Sequence, residues 1–356
     1  MKMEAFVHHG RWRPRLLQNG LEVPAWEAPM PRISDEILQS VFYLYPSFQA
    51  AEAGEHAGGC GFFALVPFER GVKNHLYMVT NRHVIDRGGL TARINTEPDK
   101  SAPFDTDDRN WFRHPDGDDL AILLVDFPLA FTCNGLELLK PGGVVTLDLI
   151  QMYDLGIGDD VYTVGRFVNH DGKQKNNPVV RFGNIAQMPI EPIKQDTGHL
   201  QESYLVECRS VAGYSGSPVF IYIPPFAVRP KKPNSVESRA YGPWFLGVNW
   251  GHLNEWKPVC DSSGRPIGNT PMKVALNSGM MGVVPAWKLL EMLKHPKIIE
   301  RRKEEEKKLL GDGPPIASSD AAHVEPSPPS SDVNPKHRED FTSLVNAAAR
   351  KPAPKD

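Results

Sequence analysis

The chain has 356 residues, of which 40% are hydrophobic and 9% aromatic, and this supports one large or two medium domains with a packed core. A formal net charge of −3 with a pI of about 6.5 lacks the basic excess typical of proteins that bind nucleic acid, so we expect no nucleic-acid partner. No stretch reaches about 18 uninterrupted apolar residues, so we expect no membrane span. Residues 1–9 lack a continuous apolar segment and a small-residue cleavage site, so we also expect no signal peptide.

The first half of the chain predicts an arm followed by strands. Residues 1–34 contain prolines and no regular apolar period, and we expect an extended arm lying on the body, with a partner-binding role as the alternative. Ser34, ahead of Asp35 and Glu36, predicts the cap of a short helical turn. Apolar runs rich in aromatic and β-branched residues predict strands at 41–45, 58–66 and 76–80.

The second half predicts further strands and then helices. Strands are predicted at 160–165, 179–185, 204–208, 218–223 and 244–250. Apolar residues recur at helical spacing after Pro285, at Trp287, Leu289, Leu290 and Leu293. The charged run at 297–310 predicts a solvated helix. Residues 311–356 begin with a Pro/Ser/Gly/Asp-rich stretch and predict a disordered tail, in which a short helix at 339–350 is a candidate docking peptide for a partner.

The most informative stretch is Gly213-Tyr214-Ser215-Gly216-Ser217-Pro218, which runs into an apolar strand. The glycines permit a tight turn and the close approach of a substrate carbonyl. A serine hydroxyl becomes an effective nucleophile when a histidine takes its proton and a carboxylate orients that histidine. His83 follows the strand predicted at 76–80, and Asp118 and Asp119 precede an apolar run at 120–125. The chain therefore carries a histidine, an acid and a serine, each beside a predicted strand.

The segments TNRHV, DLAIL and GYSGSPV, in this order, resemble the trypsin- and chymotrypsin-like serine proteases. The GxSGSP form is similar to the bacterial branch that includes the glutamyl endopeptidases. The resemblance covers roughly residues 35–295 and implies an all-β protease domain at 35–296. That domain would consist of two six-stranded β-barrels, at about 35–150 and 151–285, with a C-terminal helix and the active site in the cleft between the barrels. It also implies a serine endopeptidase that acts on protein or peptide substrates and uses no cofactor or metal.

The resemblance assigns roles to individual residues. Ser215 is expected to attack the scissile carbonyl, His83 to act as general base and acid, and Asp119 to orient the imidazole. Asp119 is preferred to Asp118 because the family's acid directly precedes its apolar strand. The backbone N–H groups of Gly213 and Ser215 are expected to form the oxyanion hole. Tyr214 stands where zymogen-type relatives carry an aspartate that pairs with a newly cut N-terminus, so we expect activity without such a cut.

Four residues are candidates for substrate binding. Asn249, Trp250 and Gly251 resemble the family's strand that binds the substrate backbone, with an ordinary buried strand as the alternative. Arg209 is a candidate for the base of the specificity pocket, where a guanidinium favours an acidic side chain, and the alternative is that it faces solvent. Glutamyl endopeptidases carry a histidine near the position of Asn249, and its absence argues against assigning them glutamate specificity here.

The cysteines and the missing signal peptide bear on location. The four cysteines are Cys60, Cys133, Cys208 and Cys260, and none forms a CxxC pair. Val84 stands where many secreted relatives carry a disulfide cysteine, so we expect a reduced, cytoplasmic and bacterial setting. The main alternative function is a catalytically silent trypsin-like fold that serves as a binding or scaffold module. A serine esterase fits less well, because the usual hydrolase order places the serine before the acid and the histidine.

Overall fold

The computed structural model of the chain describes residues 33–69, 73–96, 100–126, 135–139, 143–167, 172, 175–195, 198–208, 213–223, 242–267 and 272–310, and the backbone of three strands before residue 25. The strands are β1 (Met3–His8), β2 (Arg11–Gln18), β3 (Leu21–Pro24), β4 (Val41–Tyr45), β5 (Gly59–Pro67), β6 (Asn74–Thr80), β7 (Thr91–Thr96), β8 (Lys100–Asp105), β9 (Phe112–Arg113), β10 (Ala121–Val125), β11 (Leu136–Glu137), β12 (Asp160–Gly165), β13 (Val179–Gln187), β14 (Ile193–Lys194), β15 (Leu200–Gln201), β16 (Tyr204–Glu207), β17 (Pro218–Tyr222), β18 (Trp244–Pro258) and β19 (Lys273–Pro285). The helices are α1 (Asp35–Gln39), α2 (Phe48–Ala53), α3 (Arg82–Asp86), α4 (Leu147–Tyr153), α5 (Ala286–Leu293) and α6 (Pro296–Leu310). The predicted mostly-β architecture with C-terminal helices is confirmed.

The N-terminal segment differs from the prediction. In place of an extended arm, β1, β2 and β3 form a three-stranded antiparallel sheet. Gln18 pairs with Leu21, so the connection between β2 and β3 is the two-residue segment Asn19-Gly20. An Asn-Gly pair between strands is a strong hairpin signal, and the prolines obscured it in the sequence.

The N-terminal half contains one large sheet. Its strand order is β8-β7-β4-β5-β6-β10-β9, and β11 pairs with β5 off this path. The predicted strands at 41–45, 58–66 and 76–80 correspond to β4, β5 and β6. Ser34 caps α1, since its Oγ accepts a hydrogen bond from Ile37 N at 3.4 Å. Among the described strands this sheet does not close on itself, so the structure gives one closed barrel where the sequence predicted two.

The C-terminal half is a closed barrel of six strands in the order β12-β13-β16-β19-β18-β17. All five strands predicted in this half belong to it. β12 pairs with β17 and β13, and β18 pairs with β17 and β19, so every strand has two neighbours and no open edge within the barrel. Closure matters for the site, because β17 begins three residues after Ser215 and Asn249 of β18 bonds to the backbone of Gly216 and Ser217.

Aromatic side chains join the two halves into one core. Phe62 of β5 lies 5.3 Å, ring centroid to centroid, from Phe245 of β18, and Phe245 lies 5.9 Å from Phe220 of β17. Tyr162 of β12 stacks on Phe220 at 5.2 Å. All four rings are buried. Offset and edge-on aromatic contacts of this kind add specific geometry to apolar burial, and here they belong to a core that the sheet and the barrel share.

β18 and β19 continue beyond the barrel as a two-stranded hairpin. Their pairing runs on from Asn254–Asn277 to Pro258–Lys273. The residues of this outer part are exposed, and Trp256 is 62% exposed. The sequence analysis predicted a strand that ends near residue 250, and the extension is a finding of the structure.

The C-terminal helices pack on the body. α5 buries Leu289, Met292 and Leu293, as the helical spacing of the apolar residues predicted. α6 was predicted as a solvated helix, but it buries Ile298 and Glu306. The predicted tail at 311–356, with its helix at 339–350, lies outside the described residues.

Glu306 anchors α6 to the N-terminal sheet. Its Oε1 accepts hydrogen bonds from His75 Nε2 at 2.9 Å and from Glu69 N at 3.1 Å. Both Glu306 and His75 are buried, and the His75 ring contacts the Phe68 ring in a tilted arrangement with centroids 4.2 Å apart. The sequence analysis did not identify Glu306 as buried, because the composition of a charged run does not show which of its side chains faces the core.

We expect Glu306→Ala to destabilise the protein by about 2 kcal/mol, because it removes the carboxylate that accepts from the buried His75 ring and from the partly buried Glu69 N–H. The melting temperature should fall by roughly 4–8 °C. The matched control is Glu304→Ala on the exposed face of the same helix, which should melt like the parent chain. Equal melting of the two variants would mean that Glu306 contributes nothing to the docking of α6.

The same contact predicts a pH dependence. Burial lowers the pKa of His75 below its ordinary value of 6.5, although Glu306 opposes that effect. The folded state therefore binds fewer protons than the unfolded chain just below this value, and stability falls as the pH drops from neutral toward the lowered pKa. Urea unfolding at a series of pH values should show a flatter dependence in His75→Gln than in the parent chain. An identical slope in both would contradict the assignment.

Candidate active site

His83 and Asp119 are in direct contact. His83 lies in the first turn of α3, which begins two residues after β6 ends. Its Nδ1 lies 2.6 Å from Asp119 Oδ2, and its backbone N donates a hydrogen bond to Asp119 Oδ1 at 2.9 Å. Both oxygens of one carboxylate thus accept from one histidine. This arrangement fixes the ring and, with Nδ1 protonated, leaves Nε2 free to accept a proton.

Strand pairing brings the acid to this position. Ala121, at the start of β10, pairs with Thr80, at the end of β6, so the residues before one strand lie beside the residues after the other. Asp119 is buried, with 7% of its side chain exposed. Asp118 turns the other way, and its Oδ2 lies 3.2 Å from Lys288 Nζ. Of the two candidate acids, the structure therefore places Asp119 against His83.

The turn that carries Ser215 lies against the start of β5. The backbone O of Ser215 accepts a hydrogen bond from Cys60 N at 2.7 Å. Gly216 has φ +88°, and a Cβ at this position would collide with Cys60 O and lie 2.5 Å from Thr80 Oγ1. The turn therefore needs glycine for two reasons, its left-handed backbone and the close approach of β5.

The three candidate residues lie around one end of β5 and β6. A Cβ on Gly59 would lie 2.8 Å from Val84 Cγ2 and 3.1 Å from Ser215 O, so Gly59 separates the residue after His83 from the candidate nucleophile. Ser215 is partly exposed. No hydrogen bond joins its hydroxyl to His83 among the contacts of the described residues. Catalytic hydrogen bonds of this type are often long without substrate and tighten when it binds.

Two backbone N–H groups at Ser215 and Gly213 have no carbonyl partner among the described residues. Tyr214 O accepts a hydrogen bond from Ser217 N at 3.0 Å. In a trans peptide the C=O and N–H groups point in opposite directions, so the N–H of Ser215, in the same peptide unit, points away from this bond. Gly213 has φ +92°, and its O accepts from Cys60 Sγ at 3.0 Å. Within the described residues, neither Gly213 N nor Ser215 N donates to a carbonyl.

Tyr214 is buried between these two residues. Its ring lies 5.0 Å from the guanidinium carbon of Arg181. Burial raises the pKa of the Tyr214 phenol, with Arg181 opposing, so this side chain stays uncharged at neutral pH. It offers no partner for the α-amino group of a cut N-terminus.

Three of the predicted substrate-binding residues are tied to the body. Asn249 is wholly buried, its N donates to Ser217 O at 2.9 Å, and its O accepts from Gly216 N at 2.8 Å. Its Oδ1 accepts from Gly251 N at 2.8 Å, so the N–H of Gly251 is already bonded. Trp250 Nε1 donates to Ser203 Oγ at 2.9 Å. Arg209, the fourth, lies outside the described residues.

Sequence reasoning missed several residues that support the site. Cys60, Asn81 and Gln201 each bond to the serine turn or to Asp119, and all three are wholly buried. Asn81 carried a usable signal, since it stands in the TNRHV segment two residues before His83. Cys60 and Gln201 carried none, because no pattern in a single sequence shows which distant residues meet in the fold.

The described part of the chain holds no group of three or more His, Cys, Asp or Glu side chains arranged to bind a metal ion. None of its helices is both long and apolar enough to cross a membrane.

The chain is similar to several solved structures. No protein-family model and no curated protein matches the chain. The crystal structure of Deg5 is 16% identical with a TM-score of 0.36, and the match covers 60% of this chain and 80% of Deg5. The HtrA-type protease AlgW with a decapeptide is 15% identical with a TM-score of 0.36, covering 69% of this chain and 53% of AlgW. An inactive serine-to-alanine mutant of Rv3671c from M. tuberculosis is 15% identical with a TM-score of 0.35, covering 74% of this chain and 96% of Rv3671c. These values are low, and the roles proposed below rest on the chain's own contacts.

We expect Gly216→Ala to displace the serine turn, because the new Cβ would overlap Cys60 O in a backbone conformation that L-residues rarely adopt. Reaction of Ser215 with a fluorophosphonate probe should slow by at least about 100-fold, since a shift of about 1 Å in a reacting group has that cost. Gly156→Ala is the matched control, because nothing lies within 4 Å of its added Cβ, and it should react like the parent chain. Unchanged reactivity of Gly216→Ala would show that the turn tolerates displacement.

Proposed function

We propose that the protein is a serine endopeptidase with a trypsin-like fold, in which Ser215, His83 and Asp119 form the catalytic triad. The observation that supports this most is the double contact of Asp119 with His83 at the strand ends where the turn of Ser215 also packs. In this proposal the open N-terminal sheet corresponds to the first barrel of the trypsin-like fold, and the closed six-stranded barrel to the second.

The first chemical step is acylation. His83 Nε2 takes the proton from Ser215 Oγ as the oxygen bonds to the scissile carbonyl carbon. The carbonyl electron pair moves to its oxygen, and the intermediate collapses with expulsion of the amine, which receives the proton from His83. Water then repeats the sequence on the acyl-enzyme and releases the acid. Asp119 stays ionised throughout and stabilises the imidazolium.

The oxyanion is held by backbone N–H groups. Gly213 N and Ser215 N are free of carbonyl partners among the described residues, and Cys60 fixes the carbonyls of the same two residues. Preset donors of this kind need no rearrangement as charge develops on the carbonyl oxygen. Removing one donor in a serine protease costs about 3–4 kcal/mol of barrier.

The proposed substrates are proteins or peptides. Arg209 remains a proposal for the base of a pocket that prefers acidic side chains, similar in outcome to the glutamyl endopeptidases. Asn249, Trp250 and Gly251 remain proposed contacts, and Gly251 N would have to leave Asn249 Oδ1 to bond to a substrate carbonyl. A cytoplasmic location and a partner for the segment after residue 310 are also proposals.

A second candidate is a binding or scaffold module that keeps the triad residues without turnover. The observation in its favour is the absence of a hydrogen bond between the Ser215 hydroxyl and His83 within the described residues. The burial of Asp119 favours the peptidase. Burying a carboxylate costs stability, and its contact with His83 gives that cost a catalytic purpose that a scaffold would not need.

We expect a fluorophosphonate probe to label the parent chain at Ser215, and peptide mass mapping to locate the adduct there. Ser215→Ala should abolish labelling, and His83→Ala and Asp119→Asn should slow it by about 10⁴-fold, because the three residues act as a unit. Intact mass against time measures each rate.

Ser217→Ala is the matched control. Ser217 is buried two residues from the candidate nucleophile and should not be needed for labelling. Labelling of Ser215→Ala at the parent rate would refute the mechanism. A folded parent chain that neither reacts with the probe nor cleaves an unfolded protein substrate would support the scaffold function.

A further inference from the structure

A buried amide from the C-terminal half contacts the acid of the candidate site. Gln201 lies in β15 and is wholly buried. Its Oε1 accepts a hydrogen bond from Asp119 N at 2.8 Å, and its Nε2 donates to Asp118 Oδ1 at 3.0 Å and to Glu202 O at 3.0 Å. The reverse orientation of the amide would set its oxygen against a carboxylate and its NH₂ against an N–H group. The neighbours therefore determine the orientation.

Asp119 is held on its other side as well. Asn81 Nδ2 donates to Asp119 O at 2.8 Å, and Asn81 is buried. Each of the peptide units that flank Asp119 is thus bonded to a buried side chain, one from each half of the protein. Because both units are fixed, the direction in which the carboxylate leaves the backbone is fixed too, and that direction sets its contact with His83.

The amide is itself anchored to α5. Asp118, which accepts from Gln201, also faces Lys288 Nζ of that helix at 3.2 Å. Lys288 lies 3.5 Å from Glu202 Oε2 and 3.6 Å from Glu291 Oε2. Two histidines complete the surroundings of Asp118, with His114 Nδ1 and His199 Nε2 each 3.5 Å away. A line of contacts therefore runs from α5 through Asp118 and Gln201 to Asp119.

We propose that Gln201 is a positioning residue of the active site. It holds the backbone of Asp119 so that both carboxylate oxygens accept from His83, and it connects this acid to α5 through Asp118 and Lys288. The inference rests on the peptidase function proposed above. None of the hydrogen bonds of Gln201 within the described residues reaches His83 or Ser215, so its loss should slow chemistry and leave substrate binding unchanged.

The test replaces the amide with an apolar side chain of similar size. Gln201→Leu should lower kcat for a peptide substrate and the rate of labelling of Ser215 by between about 10- and 100-fold, with KM within about twofold of the parent value. The proton on His83 Nδ1, which bonds to Asp119, should give a sharp low-field resonance in the parent chain. This resonance should be broadened or lost in the variant.

Gln201→Glu tests the role of the amide oxygen. The introduced side chain has nearly the same shape as glutamine and keeps an oxygen where the amide oxygen accepts from Asp119 N. It should recover most of the rate that Gln201→Leu loses. A Gln201→Glu enzyme as slow as Gln201→Leu would overturn the assignment.

Asn176→Ala is the matched control for lost stability. Asn176 is also a buried amide that ties the two halves, through Arg93 Nε at 2.7 Å and Arg93 O at 2.6 Å, and it contacts no residue of the triad. It should lower the melting temperature and leave kcat and the His83 resonance unchanged. Equal loss of kcat in Asn176→Ala and Gln201→Leu would refute a positioning role. An unreactive parent chain that still shows the resonance, and loses it in Gln201→Leu, would refute the peptidase function and leave the positioning of Asp119 standing.

Discussion

The candidate site depends on the contact between the serine turn and the first residues of β5. Cys60 bonds to this turn twice, through its backbone N to Ser215 O and through its thiol to Gly213 O. Ser215 belongs to the C-terminal barrel and Cys60 to the N-terminal sheet, so this contact brings the nucleophile to the half of the protein that carries His83 and Asp119. The close approach of backbone to backbone explains why residue 216 is glycine.

The second constraint acts on the acid. A carboxylate that is nearly buried is costly unless its oxygens are bonded, and His83 satisfies both oxygens of Asp119. The same buried region holds Asp118, and Lys288 provides a compensating charge. Burial alone would lower the pKa of Lys288, but Asp118, Glu291 and Glu202 together raise it, so the lysine stays charged at neutral pH. The C-terminal helix is thus part of the electrostatic balance around the site.

Much of this was predictable from the sequence, for reasons specific to each element. The strands around His83, Asp119 and Ser215 carry continuous apolar runs, and α5 carries a clear helical period, so local pattern sufficed. The hairpins of β1–β3 were predictable in part from Asn19-Gly20, although prolines masked the signal. The roles of Glu306 and Gln201 were not predictable, because each depends on a partner more than 80 residues away in the chain. Local pattern contains no information on such pairs.

The hairpin formed by the outer parts of β18 and β19 has a consequence for handling the protein. Its backbone is extended, its side chains are exposed, and it extends from the strand that contains Asn249, beside the serine turn. Exposed polar loop tips, such as residues 261–264 in the connection between these strands, are preferred sites of proteolytic cutting. If the protein is an active peptidase, concentrated samples would therefore cleave this hairpin. The masses of the fragments that form during storage would then identify the bonds that the enzyme cleaves, without any added substrate.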